Sequence, residues 1–208
     1  MPERSGQCRH ASDNRVELDR ARHALSLAAS GRQVVVVSGG DPGVFAMAAA
    51  VFEAVESGAP EWRELDIRVE PGVTAMLAAA AEVGAPLGGD FCALSLSDNL
   101  KAWSTVERRL KAAAEGDFVI ALYNPASKAR PTQLGKAFDL LRTLKTADTP
   151  VLFVRAAGTA NAEVVMTTLA VADPSRADMR TLVIVGASTT RQVGRWVYTP
   201  RSERAGRP

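Results

Sequence analysis

The sequence predicts an α/β protein built from two α/β domains, over residues 1–114 and 115–208. Three observations support this prediction. Continuous apolar runs rich in β-branched residues, such as "QVVVVSG" and "TLVIVG", are typical of strands buried on both faces. Amphipathic or alanine-rich runs with helical spacing separate them. The alternation of strand and helix restarts at Asp117 without a sequence repeat, and it favours mostly parallel sheets.

The first half is expected to begin with an amphipathic helix, capped by Ser12 or Asp13. The buried strand "QVVVVSG" then leads through a glycine turn to a helix that starts at Val44. A second strand and turn, "LDIRVEPG", precedes an alanine-rich helix with Thr74 near its start. A short strand at 91–96 and the helix "WSTVERRLKAAAEG" complete this half.

The second half is expected to form three buried strands and one long helix. The strands are "DFVIALYNP", "TPVLFVRAAG" and "RTLVIVGAS", and the helix is "RPTQLGKAFDLLRTLK". A further segment, "AEVVMTTLAVAD", is rich in β-formers. In an open α/β sheet, ligands bind at the carboxyl ends of strands. Four turns occupy such ends: "SGGDPGVF", "EPGVTA", "LYNPASKARP" and "RAAGTA".

The composition excludes several classes of protein. The chain has 208 residues, is 47% hydrophobic and has a formal net charge of +2, so no strong field attracts nucleic acid. Two cysteines are too few for a disulfide scaffold, and two histidines are too few for a typical zinc site. The apolar runs are too short or too broken to span a bilayer, and the first residues carry no signal-peptide pattern. We therefore expect a soluble, cytoplasmic protein without a metal.

The first turn carries Asp41 where many α/β enzymes bind a phosphate. Asp before Pro42 suits a helix N-cap, and a carboxylate there would repel a phosphate from the helix amides. Gly39 and Gly40 would let the backbone approach a ligand closely. Neither GxxxxGK[ST] nor GxGxxG occurs in the chain. These features favour a neutral or cationic ligand, and S-adenosylmethionine, a sulfonium with an amine and no phosphate, fits them.

The segments "GGDPGVF", "EPGVTAM", "ALYNPASKARP" and "TLVIVGAS", in this order and spacing, resemble the tetrapyrrole (precorrin) methyltransferases. The similarity runs from about Ser12 to Ser188, and the "SLSDN", "LYNPASKARP" and "TLVIVG" blocks are its specific part. The resemblance implies two α/β domains of the tetrapyrrole methylase type, with the active site in the trough between them. It also implies S-adenosylmethionine as cofactor, held by Gly39, Gly40, Asp41, Val44, Thr74, Ala75, Tyr123 and Gly158.

Within that family, the chain looks most like enzymes of cobalamin biosynthesis that methylate C17 of precorrin-3B and contract the ring to give precorrin-4. Methyl transfer from a sulfonium depends mainly on positioning, whereas ring contraction needs proton movement. Asp98 and Tyr123 are the candidate catalytic residues, although Asp98 in "SDN" also suits an ordinary turn. The substrate carries many carboxylates, so basic side chains are candidate contacts, with solvated surface charge as the alternative. These side chains are Lys101, Lys128, Arg130 and Arg155.

The chain departs from the family's pattern near its N-terminus. Members of the family begin with a strand, a Gly-Pro-Gly loop and a "GY" segment, and no Gly-Pro-Gly occurs here. We expect this departure to expose strand-pairing edges or apolar surface. Two alternatives follow: a module that binds S-adenosylmethionine without catalysis, or a sibling methyltransferase acting on another ring carbon. The alanine-rich helices Val44–Val55 and Thr74–Val83 also predict a homodimer.

Overall fold

The computed structural model describes residues 6–11 and 16–202, which divide into one unit within 1–73 and another within 74–208. We call them unit 1 and unit 2. The two expected cap residues of the first helix, Ser12 and Asp13, lie outside the described residues. No helix among the described residues is long and apolar enough to cross a membrane.

Unit 1 contains two packed helices. Helix α1 spans Glu17–Ala29 and helix α2 spans Met47–Ser57, and a 3₁₀ turn follows at Pro60–Glu64. The amphipathic pattern expected for the first helix is confirmed, because Ala21 and Leu25 are buried in one apolar cluster with α2. A stripe of apolar residues spaced by four thus places one face of α1 against its neighbour.

The two strands expected in unit 1 are not formed. Residues 33–38 and 65–72 belong to no strand ladder among the described residues. The valines of the first segment alternate in exposure instead: Val35 is 82% exposed and Val37 62% exposed, while Val34 and Val36 are half-buried. A strand needs a hydrogen-bonding neighbour, and none of the described segments pairs with either of these. Of the two expected consequences, exposed strand-pairing edges or apolar surface, the second is confirmed. Both segments line a cleft of about 830 Å³.

The described part of unit 2 holds eleven helices and strands and a 3₁₀ turn at Pro174–Arg176. In chain order they are α3 (Ala75–Val83), β1 (Gly84–Ala85), β2 (Phe91–Ser95), α4 (Trp103–Glu115), β3 (Val119–Tyr123), α5 (Gln133–Arg142), β4 (Pro150–Arg155), β5 (Glu163–Thr168), β6 (Thr181–Val185), and the pair β7 (Arg191–Val193) and β8 (Trp196–Tyr198). The helices and strands expected in this part of the chain are confirmed. The domain boundary expected after residue 114 falls at the end of α4, inside unit 2, and the division there stays a prediction.

The main sheet of unit 2 has the strand order β2-β3-β6-β4-β5. Only β2 and β3 run parallel, and the other three pairs are antiparallel, so the expectation of mostly parallel sheets is wrong. The connection from β4 to β5 is too short for the crossover that parallel pairing requires. Because β6 runs opposite to both β3 and β4, the carboxyl ends of β2, β3 and β4 still lie at one edge of the sheet.

The core of unit 2 lies between this sheet and helices α4 and α5. All residues of β3 and β6 are buried, as their continuous apolar runs predict. Phe138 of α5 meets Phe153 of β4 edge to face, with ring centroids 6.0 Å apart, a favourable aromatic geometry. Helix α3 packs against β4 and β6. The sheet edge that carries the functional turns is therefore held by a rigid core.

Candidate functional site

Asp41 joins the two loops of unit 1 that carry the expected cofactor turns. Its Oδ1 accepts a hydrogen bond from the Gly43 amide at 2.8 Å, and its Oδ2 accepts one from the Gly72 amide at 3.0 Å. The hydrogen bonds from Gly72 and then Gly43 lower the pKa of Asp41 below its ordinary value, because they stabilise the ionised form. The carboxylate is a fixed negative charge between the two loops.

The expected capping role of Asp41 is wrong. Helix α2 begins at Met47, its N-cap is Ala46, and no side chain caps it. Phe45 has a φ of 51°, and this left-handed conformation interrupts the backbone before a helix could reach back to Val44. The expected start of this helix at Val44 is wrong for the same reason. Asp41 therefore bridges two loops rather than neutralising a helix end.

Gly40 and Gly72 allow these loops to approach each other closely. Gly40 has a φ of 76°, which favours glycine. A Cβ added to Gly72 would lie 2.3 Å from the backbone oxygen of Gly40. Gly39 is different, because a Cβ built there meets nothing within 4 Å. Val44 is half-buried and donates its amide to the Asp41 carbonyl at 3.3 Å.

In unit 2, Tyr123 and Thr74 meet at the start of helix α3. Tyr123 ends strand β3, and its hydroxyl lies 2.6 Å from Thr74 Oγ1 and accepts the Met76 amide at 2.9 Å. Thr74 is the N-cap of α3, but its side chain does not cap that helix. The Tyr123 hydroxyl, which lies outside the helix, instead accepts a hydrogen bond from an amide of its first turn and so caps α3. Ala75, the first residue of α3, is exposed beside this contact.

Gly158 lies toward the opposite end of helix α3. It has a φ of 74°, and its amide donates to Glu82 Oε1 at 3.0 Å. Since Glu82 is eight residues beyond Thr74, roughly 12 Å separate them along the helix axis. The structure therefore brings Thr74, Ala75 and Tyr123 together, and it holds Gly158 against the far end of the same helix.

The carboxyl ends of β2 and β3 carry a group of polar side chains that we call the carboxyl-end cluster: Ser95, Asp98, Asn124, Arg130 and Gln133. Gln133 Nε2 donates to Asp98 Oδ1 at 3.3 Å and to Oδ2 at 3.1 Å. Asn124, with a φ of 53°, donates from Nδ2 to Ser95 Oγ at 2.9 Å. Sequence reasoning found Asp98 and Arg130 but missed the other three. Asn124 and Ser95 could have been found, because each stands at the carboxyl end of an expected strand.

The two basic side chains of the loop that follows β3 differ in exposure. Ser127 and Arg130 exchange two backbone hydrogen bonds, of 3.1 and 3.0 Å, and so close a tight turn. This turn folds Arg130 back until it is only 8% exposed, and its guanidinium donates to the Asn124 carbonyl at 3.4 Å. Lys128, at the tip of the turn, is exposed.

The remaining two basic candidates differ in their surroundings. Arg155 is paired with Asp178 at 2.8 Å and with Glu163 at 3.3 Å, and the hydrogen bond to Asp178 is the main reason that the pKa of Arg155 is raised. Lys101 forms no ion pair with a described residue. Burial, and to a smaller extent the charge of Arg109, lower the pKa of Lys101. Among the described residues, no cluster of His, Cys, Asp and Glu could hold a metal ion.

Comparison with known proteins places the chain among methyltransferases. Residues 4–173 match the family described as Tetrapyrrole (Corrin/Porphyrin) Methylases. A precorrin-3B C(17)-methyltransferase from a Sinorhizobium species is 60% identical over 203 residues, which cover 95% of this chain and 80% of the relative.

Two solved structures show similarity of fold. A crystal structure of the methyltransferase CobJ matches with a TM-score of 0.93 and 56% identity, over 96% of this chain and 83% of that one. The uroporphyrin-III C-methyl transferase of Thermus thermophilus, solved in complex with S-adenyl homocysteine, matches with a TM-score of 0.60 over 82% of this chain and 74% of that one. At 22% identity, the second match shows the fold alone.

Proposed function

Because the chain belongs to the tetrapyrrole (corrin/porphyrin) methylase family, we propose that it methylates C17 of precorrin-3B with ring contraction to precorrin-4, in cobalamin biosynthesis. The observation that carries this proposal is the 60% identity to a precorrin-3B C(17)-methyltransferase over four fifths of that relative's length. Fold alone would not separate this reaction from the other methylations of the family. The specific sequence blocks around Asp98 and Lys128 fall on the carboxyl-end edge of the unit 2 sheet.

We propose S-adenosylmethionine as the methyl donor. A distant family structure holds S-adenyl homocysteine, and the loops around Asp41 suit such a ligand. They offer backbone groups and a fixed negative charge, which favour an amine or a sulfonium over a phosphate. The proposed contacts in unit 1 are Gly39, Gly40, Asp41 and Val44. The proposed contacts in unit 2 are Thr74, Ala75, Tyr123 and Gly158.

The proposed chemistry divides between positioning and one proton transfer. S-adenosylmethionine supplies a methyl group on a sulfonium, with a neutral thioether as leaving group, so that step depends on alignment rather than on an acid or base. Ring contraction requires a proton acceptor. We assign this role to Asp98, because its carboxylate is half-buried at the sheet edge. The Tyr123 hydroxyl already holds Thr74 and the Met76 amide, which supports positioning of α3 rather than catalysis.

The basic residues separate into two groups as proposed contacts for substrate carboxylates. Lys101 and Lys128 form no ion pair with a described residue, which supports them as direct contacts. Arg155 is already engaged by two carboxylates, and Arg130 supports its own loop by bonding Asn124. We therefore assign the direct contacts to the two lysines and expect Arg130 and Arg155 to act by holding the loops.

Product analysis tests the proposed reaction. The purified protein is incubated with precorrin-3B and S-adenosylmethionine carrying a ¹³C-labelled methyl group, and the product is examined by mass spectrometry and NMR. We expect one labelled methyl group at C17 of a contracted ring. A labelled methyl at another carbon would identify a sibling methyltransferase. Binding of S-adenosylhomocysteine without any product would favour the binding module.

Asp41→Asn is expected to weaken the binding of S-adenosylhomocysteine about tenfold, as the loss of a hydrogen bond to a charged group would. Gly43 and Gly72 donate to different oxygens of Asp41, and a carboxamide replaces one of these oxygens by an NH₂ donor, so one of the two hydrogen bonds is lost together with the negative charge. Calorimetric titration measures the affinity. Asp66→Asn is the matched control, because it removes the same charge from an exposed pair with Arg68 in unit 1. Equal affinities of Asp41→Asn and the wild type would exclude Asp41 from the cofactor site.

We also propose a homodimer with a cytoplasmic location. Each unit exposes apolar side chains on an alanine-rich helix, Phe52 on α2 and Leu77 on α3, and both are 50% exposed. Both cysteines are free, as a reducing compartment favours. Sedimentation at micromolar concentration is expected to show a dimer, and Leu77→Glu is expected to shift it toward monomer. Leu100→Glu, at a loop leucine, is the control. A wild-type monomer would contradict the proposal.

A further inference from the structure

Gln133 has an unusual hydrogen-bonding state in the carboxyl-end cluster. Its side chain is the first of helix α5 and is only 7% exposed. The Nε2 group donates to both oxygens of Asp98. The Oε1 atom is buried, and it has no hydrogen-bond partner in the described part of the chain. A buried acceptor without a partner destabilises the folded state, and such groups call for an explanation.

The Asp98 carboxylate explains which way the amide points. Turning the Gln133 amide over would place its oxygen against two carboxylate oxygens, which are acceptors only. The nitrogen must therefore face Asp98, and the oxygen is left on the side where it has no hydrogen-bond partner among the described residues. A methionine of similar size would fill the same space without an unpaired acceptor. The amide is thus unfavourable for packing, and its one evident benefit is that it hydrogen-bonds both oxygens of Asp98.

The Asp98 side chain depends on Gln133 for its orientation. It lies in the irregular segment between β2 and α4, where the described hydrogen bonds to its side chain come from Gln133 alone. Gln133, in contrast, is fixed by the first turn of α5 and by burial. A donor shared between both oxygens fixes the plane of the carboxylate and leaves lone pairs on each oxygen for a proton.

We propose that Gln133 is a positioning residue for the reaction, holding the Asp98 carboxylate in the orientation in which it accepts a proton from the substrate during ring contraction. In that step the substrate loses a proton, one Asp98 oxygen gains it, and the other oxygen keeps the Gln133 hydrogen bond. This inference rests on the proposed function through the role given to Asp98.

The first test separates a positioning role from a structural one. For Gln133→Met we expect the melting temperature to stay equal or rise, because the unpaired acceptor is removed. S-adenosylhomocysteine affinity and the KM for precorrin-3B are expected to change little, while kcat falls by up to about 100-fold through misplacement of the carboxylate. Gln192→Met, the same change at an exposed residue of β7, is the control and keeps wild-type kcat. A melting temperature and kcat that fall together would make Gln133 a structural residue and overturn the proposal.

Two further variants test whether Gln133 acts through Asp98. The double variant Asp98→Asn/Gln133→Met is expected to have the same kcat as Asp98→Asn alone, since residues acting as one unit are not additive. Gln133→Glu is expected to recover activity as the pH falls, because the protonated glutamic acid again offers Asp98 a donor, whereas two ionised carboxylates repel. Additive losses, or no recovery, would overturn the proposal. If the wild type makes no product, the proposed function fails and this inference with it. If the wild type makes the expected product and Gln133→Met keeps the full wild-type kcat, this inference fails and the proposed function stands.

Discussion

Replacement of Tyr123 by Phe is expected to destabilise unit 2 by about 2–6 kcal/mol. The ring keeps its packing, but the Thr74 hydroxyl and the Met76 amide lose their partner. Thr74, Met76 and Tyr123 are all buried, so water cannot replace the phenol. Each unsatisfied buried group costs about 1–3 kcal/mol. The free energy of unfolding in urea measures the loss.

Tyr198→Phe is the matched control, at the other tyrosine of the chain. Tyr198 is half-buried in β8, and its hydroxyl makes no hydrogen bond to a described residue. We expect this variant to unfold with nearly the wild-type free energy. Thr74 and Ala75 are proposed cofactor contacts, so Tyr123→Phe is also expected to weaken S-adenosylhomocysteine binding. Equal stability of the two Phe variants would show that the start of α3 does not depend on the phenol.

The sequence predicts best those helices and strands whose own residue pattern identifies them without knowledge of the elements they pack against. Strands β3 and β6 come from nearly continuous apolar runs, and such runs predict strands buried on both faces without knowledge of their partners. Helices α4 and α5 carry apolar stripes that match the sheet face beneath them. The hairpin β7–β8 is not among the predicted elements; in it, Gly194 and Arg195 connect the paired Val193 and Trp196. Gly194 has a φ of 59°, and a glycine in a two-residue connection between strand-forming residues is a hairpin signal.

Features that depend on a distant partner could not be predicted in this way. The run "QVVVVSG" has strong strand propensity, but a ladder needs a neighbour, and the described residues supply none. The antiparallel order of the main sheet depends on the pairing of β6 with β3 and β4, and no local sequence pattern indicates which strands will pair.

The same limit applies to the site. Asp41 was found from the chemistry of its turn, but its bond to Gly72 joins residues far apart in sequence. The contact between Asp98 and Gln133 joins a loop to a helix start, which no local motif indicates.

Gly72→Ala is expected to have the largest effect on unit 1. The added Cβ would lie 2.3 Å from the oxygen and 3.0 Å from the carbonyl carbon of Gly40, and 3.3 Å from Asp41 Cα. All three are backbone atoms, so no flexible side chain can move aside. Overpacking of this kind costs about 1–3 kcal/mol. Separating the loops would also break the hydrogen bond from the Gly72 amide to Asp41.

Loss of the contact between the two loops should also weaken binding of the cofactor at the proposed site. We expect S-adenosylhomocysteine to bind Gly72→Ala more than about tenfold more weakly than the wild type, and thermal unfolding to occur at a lower temperature. Gly39→Ala is the matched control for stability, since its Cβ would meet nothing within 4 Å, and its melting temperature should equal that of the wild type. If Gly39→Ala nevertheless weakens binding, the ligand approaches the backbone at that glycine. Wild-type stability and affinity in Gly72→Ala would show that the contact between the two loops supports neither the fold nor the site.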